Sequence, residues 1–234
     1  ITDMNQVLGK SAGHILEMSE CVDFLKNQEK ESRLELITYE LVASVLMMSQ
    51  NISKEDALKK IDTVISNGQA AEKFEKMVHA LGGPSDIMSS HDNHLKIKAI
   101  KKDVLSNQSG WVKEIKTRDL SHSLVKVAKG AGLQCEAIIT DMNQVLGKSA
   151  GHILEMSECI NFLKNQEKES RLELITYELV ASVLMMSQNI SKEDALKKID
   201  TVISNGQAAE KFEKMVHALG GPSDIMSSHD NHLK

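Results

Sequence analysis

The strongest constraint on this chain is that it contains one long segment twice. Shifted by 138 positions, residues 139–234 repeat residues 1–96 with two differences, Val22 against Ile160 and Asp23 against Asn161. Whatever the segment folds into must therefore form twice in one polypeptide. Solenoid repeats have periods of about 20–50 residues, and their terminal units differ from internal ones because the ends face water. This repeat does neither, so it reads as a recent copying event or an error of sequence assembly. The first residue, Ile1, stands where an initiator Met is expected, and both edges read as cuts.

Within one copy the pattern is mostly helical. Gly9 and Gly13 bracket a loop, after which Ile15, Leu16, Met18, Val22 and Leu25 keep helical spacing. Leu34, Ile37, Leu41, Val45 and Met48 recur at steps of three or four, the stripe of a buried helix, and Met47-Met48 and Met185-Met186 read as core filler. Ser53 precedes "KEDALKKIDTVIS" as an N-cap, and Asn67-Gly68 gives a stop. A fourth helix, "QAAEKFEKMVHAL", ends at Gly82-Gly83-Pro84.

The 42 residues between the copies read differently. "IKAIKKDVLSNQSGWVKEIKTRDL" has apolar runs on either side of Asn107 to Gly110, which predicts a small antiparallel strand pair. A helix and a Gly-containing turn follow, then a strand from Leu133 to Thr140 that delivers the chain to the second loop. Strand, loop and helix in that order are half of a βαβ unit, a place where ligands gather. The expected fold class is thus α/β but helix-dominated, a partial mixed α/β domain in two near-identical copies. The expected segments are 1–96, 97–120, 121–138 and 139–234: first copy, strand pair, helix with strand, and second copy.

Several functions are excluded by composition. The chain has 28 Lys plus Arg against 33 Asp plus Glu, a formal charge of −5, and 3% aromatic residues, which disfavours nucleic acid. The Lys96, Lys98, Lys101, Lys102, Lys113, Lys116 and Arg118 cluster lacks interleaved aromatics and reads as a solvated strand face. No apolar run approaches the roughly 18–20 residues of a membrane span, and no signal-peptide pattern opens the chain. Cys21, Cys135 and Cys159 form no CxxC pair. A reducing cytoplasm is the expected compartment.

"GKS" at Gly9–Ser11 and Gly147–Ser149 invites comparison with a phosphate loop. A P-loop requires a glycine five residues earlier, where this chain has Met4 and Met142. An ordinary strand-to-helix turn is favoured over a loop whose free N–H groups hold an anion. "HDNH" at His91–His94 and His229–His232 spaces two imidazoles for one metal, but two ligands do not close a site, and a solvated surface is favoured. His14 and His152 stand at helix starts, where a structural role is favoured over a site.

The string "ITDMNQVLGKSAGHILEMSE", followed about 50 residues later by "NGQAAEKFEKMVHALGGP", resembles the thymidine phosphorylase and pyrimidine-nucleoside phosphorylase family. The resemblance covers both copies, and "LSHSLVKVAKGAGLQCEA" resembles what precedes the motif in that family. It implies phosphorolysis of thymidine or a related pyrimidine nucleoside, giving the base and 2-deoxyribose 1-phosphate. The family's phosphate-gripping and base-contacting residues lie before the segment present here and have no counterpart, so no catalytic residue is assigned. The helical domain that forms the family's homodimer is also absent.

What the resemblance does transfer is a cation site built from two loop carbonyls and a helix carboxylate. Those positions are Leu8, Ser11 and Glu20, and in the second copy Leu146, Ser149 and Glu158. Such oxygen ligands suit calcium, sodium or potassium. No cofactor is required. The expected function is that of a phosphorylase fragment, inactive alone. The alternative is a noncatalytic helical module that pairs with a separate chain.

Overall fold

The computed structural model describes residues 7–95, 106–110, 113–132, 135–141 and 143–232. The chain divides into two compact units, 1–115 and 116–234. Among the described residues the fold is helical, and no helix is long and apolar enough to cross a membrane.

The first unit holds α1 (His14–Leu25), α2 (Ser32–Gln50), α3 (Lys54–Ser66), α4 (Gln69–Ala80) and α5 (Ile87–His94). The second opens with α6 (Thr117–Gly130) and repeats the same five as α7 (His152–Leu163), α8 (Ser170–Gln188), α9 (Lys192–Ser204), α10 (Gln207–Ala218) and α11 (Ile225–His232). The predicted N-cap forms: Ser53 Oγ accepts from Asp56 N–H at 3.1 Å, satisfying one of the donors a helix start leaves open. Glu31 does the same for α2, accepting from Arg33 and Leu34 N–H at 2.8 and 2.9 Å. Asn51 ends α2 at φ 51°, and Gly68 separates α3 from α4 at φ 80°. Asparagine and glycine tolerate these left-handed conformations, which stop a helix.

The core of the first unit is Phe24, Ala43, Ala57, Ile61 and Ile65, with Leu34, Tyr39 and Leu46 packed against it. Phe162, Ala181, Ala195, Ile199 and Ile203 form its counterpart. Small Ala43 and Ala57, 1% and 0% exposed, let α2 and α3 approach closely. This geometry overturns the expected burial of the long α2 stripe. Leu41, Val45 and Met48 are 60%, 48% and 75% exposed, while Ala43 and Leu46 turn inward. Met47 and Met48 are exposed, as is Met186; of the four methionines only Met185 packs against a core.

Two further expectations change. A fifth helix, α5, follows the Gly-rich stop, anchored by Ile87 at 3% exposure. The strand expected over Leu133–Thr140 is not formed across its described residues 135–140. A strand is held by the hydrogen-bond ladder of its neighbours, and here no described neighbour supplies one. The first arm of the expected strand pair lies largely outside the described residues. In the second arm, residues 113–116 are irregular, and α6 begins at Thr117, inside the segment assigned to strands.

Candidate functional site

The candidate site is the loop before α1 and its copy before α7. Lys10 donates its backbone N–H to both Glu20 carboxylate oxygens, at 3.1 and 3.2 Å, and Ser11 donates its hydroxyl to the same group. In the second unit Lys148 N–H reaches Glu158 at 3.0 and 3.2 Å, joined by the Ser149 hydroxyl. Gly9 is required by this closure, since a Cβ built there would overlap the Glu20 carboxylate, and Gly147 stands in the same relation to Glu158. Gly13 and Gly151 carry the turn into the helix at φ 142° and 145° and donate to Glu17 and Glu155 at 3.1 and 2.8 Å.

The arrangement counts against the anion-holding reading of "GKS". The N–H groups of Lys10 and Gly13 point at the protein's own carboxylates. An incoming phosphate would have to displace a negative group that is covalently held nearby. Lys10 Nζ pairs with Glu29, and Lys148 Nζ with Glu167, and each glutamate raises its partner ammonium above the ordinary lysine value. Each loop therefore keeps its positive charge neutralised, and the surround of Glu17, Glu20 and Glu29 is acidic.

An arginine that sequence reasoning missed fastens the loop from behind. Arg33, in the first turn of α2, donates to the Val7 carbonyl, and Arg171 donates to the Val145 and Asp141 carbonyls. The faint signal was its place, a fork of donors at the start of a helix that returns past the loop. In the second unit Val145, Leu146, Gly147, Ser149 and Glu158 line a cavity of about 130 Å³.

The structure joins Glu20 to Ser11, and Glu158 to Ser149, through the serine hydroxyls rather than through the loop carbonyls that the resemblance names. An all-oxygen donor set of this kind fits a hard cation in its chemistry. Part of each carboxylate's lone-pair capacity is already taken by an N–H and a hydroxyl. Among the described residues no group of three His, Cys, Asp or Glu could hold a metal.

The histidine motifs do not converge on a ligand. His94 Nε2 bonds Asp86 at 2.7 Å, whereas His91 is turned inward, 8% exposed, with its Nε2 3.8 Å from Asp23 of α1. His14 and His152 are exposed at their helix starts. Of the basic cluster, Lys113, Lys116 and Arg118 are exposed, and Lys96, Lys98, Lys101 and Lys102 lie outside the described residues. A separate apolar groove of about 570 Å³ runs between α2 and α3, lined by Val42, Leu46, Ile61 and Val64.

No protein-family model matches the chain. A curated thymidine phosphorylase from Colwellia psychrerythraea is 49% identical over 109 residues, which cover 46% of this chain and 25% of that protein. The chain thus matches a quarter of the length of that relative, and over that quarter it is similar to a thymidine phosphorylase.

Proposed function

We propose that this chain is a segment of a thymidine phosphorylase, carried twice, and that it does not cleave nucleosides by itself. The identity of 49% over 109 residues to the Colwellia enzyme carries the reading. Phosphorolysis needs a cradle for the attacking phosphate and donors for the charge that develops on the departing base. The loop donors that could face a phosphate are spent on Glu17 and Glu20, which supports inactivity. Thymidine or another pyrimidine nucleoside, and phosphate, are then substrates of the longer protein, whose compartment is the reducing cytoplasm. In that longer protein residues 135–140 are a strand of an α/β sheet whose partners come from outside this chain. The homodimer of the family is likewise made by a domain with no counterpart here.

In the same reading Leu8, Ser11 and Glu20, with Leu146, Ser149 and Glu158, are each half of a calcium, sodium or potassium site. Bound there, the cation would supply fixed positive charge beside the loop. Calorimetric titration with calcium should show no saturation below roughly millimolar concentration. Tight saturable binding lost in Glu20→Gln and Glu158→Gln would show a complete site instead.

The deciding assay follows thymine release from thymidine plus phosphate in the ultraviolet. No turnover is expected from the purified chain; turnover abolished by substituting this chain's own side chains would refute inactivity. A second reading, a noncatalytic helical module that pairs with a separate chain, is favoured by one observation. The apolar stripe of α2 is uncovered at Leu41, Val45 and Met48, and that of α8 at Leu179, Val183 and Met186. Co-purification with a polypeptide supplying the phosphate-binding half would support it, and a clean monomer in the native extract would count against it.

A further inference from the structure

Helix α6 opens the second unit and belongs to neither repeat. Its Leu120, Leu124 and Val127 recur at steps of four and three, share one face, and are 47%, 56% and 70% exposed. Ser121, Val125 and Ala128, about a quarter-turn round the helix, are half-buried and mark the side turned to the protein. Between Lys116 and Gly130 the chain carries four exposed cations, Lys116, Arg118, Lys126 and Lys129, against one carboxylate, Asp119.

The fold leaves the charge of these cations unneutralised. In the first repeat Lys10, Lys30, Lys54, Lys59 and Lys76 each meet a glutamate. Their counterparts in the second repeat do the same. Among the described residues none of the four cations of α6 enters an ion pair. Helix α2 also exposes an apolar stripe, but the cations beside it, Lys30 and Lys54, are bound to Glu35 and Glu40. An apolar face and an unspent positive field coincide on α6.

That pairing is complementary to a surface with anionic headgroups above and acyl chains beneath. We propose that α6 is a membrane-surface helix, which lies in the headgroup layer of a bilayer rich in acidic phospholipids with Leu120, Leu124 and Val127 toward the acyl chains. At 14 residues it is too short to cross the bilayer. Lys116, just ahead of the first turn, and Lys126, on the flank of the stripe, have stems long enough to reach up to phosphates. Arg118 and Lys129 lie on the far side of a helix about 10 Å across, which is one Debye length at 0.1 M salt, so they too feel the surface. A nucleic acid would neutralise the cations but leave the apolar face in water, and α6 has no aromatic side chain to stack on a base. The inference holds whether or not the longer protein is a phosphorylase.

Co-sedimentation of the full chain with lipid vesicles tests it. Binding is expected to phosphatidylcholine vesicles containing about 30% phosphatidylserine, at least ten-fold above that to phosphatidylcholine alone, and it should weaken as salt is raised. Leu124→Ala changes no charge; it removes three carbons from a residue 56% exposed and should lower the partition coefficient about ten-fold. Lys126→Gln should lower it about five-fold. Met48→Ala, on the charge-balanced stripe of α2, should change it less than two-fold. All three substituted side chains are exposed, and far-ultraviolet circular dichroism checks that each variant keeps its helices. Equal binding to the two kinds of vesicle would overturn the proposal. So would wild-type binding by Leu124→Ala, which would leave a purely electrostatic contact open to any polyanion, or an equal loss in Met48→Ala, which would move the contact to α2.

Discussion

Replacing Ile61 by alanine tests the packing of the first unit against an internal standard. Ile61 is 4% exposed in the core formed by Phe24, Ala43, Ala57 and Ile65, and its counterpart Ile199, also 4% exposed, stays intact in the same molecule. Removing a buried isoleucine's outer carbons forfeits their transfer free energy and leaves a cavity, at a cost of about 3 kcal/mol. A unit of roughly 100 residues has an unfolding entropy near 0.2 kcal/mol/K, so its midpoint should fall by about 15 °C. Calorimetry should therefore turn one transition of the wild type into two, the upper one unmoved and assigned to residues 116–234. Met48→Ala is the matched control: a large apolar side chain is again removed, but from a site 75% exposed, and the shift should be about 2 °C or less. Equal shifts for the two variants would show that the assigned core is wrong. A single transition displaced as a whole would show that the units unfold as one.

Ser53→Ala should cost about 1 kcal/mol by leaving the Asp56 N–H without its cap, read from the melting midpoint of the first unit. The Glu31 carboxyl is held below the usual carboxylate range, chiefly by the Leu34 N–H, with Ser32 and Arg33 adding to it. A depressed carboxyl contributes stability above its unfolded value and loses it as pH falls through the lower folded value. The difference in melting midpoint between wild type and Glu31→Gln should accordingly shrink below about pH 4. Glu158→Gln should speed exchange of the Lys148 amide at least several-fold, because a charged acceptor becomes neutral; unchanged exchange would remove the carboxylate from its place in the loop. Partial burial, then Glu20 and Glu158 respectively, pushes the Cys21 and Cys159 thiols up, leaving less thiolate at pH 8. Both should react more slowly than glutathione with a disulfide reagent.

Sequence by itself determined where α3 starts and where α3 and α4 stop, because those signals are local. Ser53, Asn67-Gly68 and Gly82-Gly83 act on backbone groups within a few residues of themselves. It also drew attention to the loop, through the two glycines that its closure needs. Only the tertiary structure decided what those glycines serve: a carboxylate ten residues on from Lys10, with Arg33 behind it. The same holds for α2. Its spacing showed an apolar stripe, but periodicity cannot say which neighbour a stripe will meet. The close fit of Ala43 against the α3 face of Ala57 and Ile61 turned the helix, leaving Leu41, Val45 and Met48 outside. Helix α5 escaped notice because "IMSSHDNH" has no stripe; Ile87 and His91 are its buried residues, and the helix packs against α4 and α1, which are distant in sequence from the point where its pattern is read. The strand expected over Leu133–Thr140 makes the opposite case: its described residues 135–140 form no strand, having no described ladder to join.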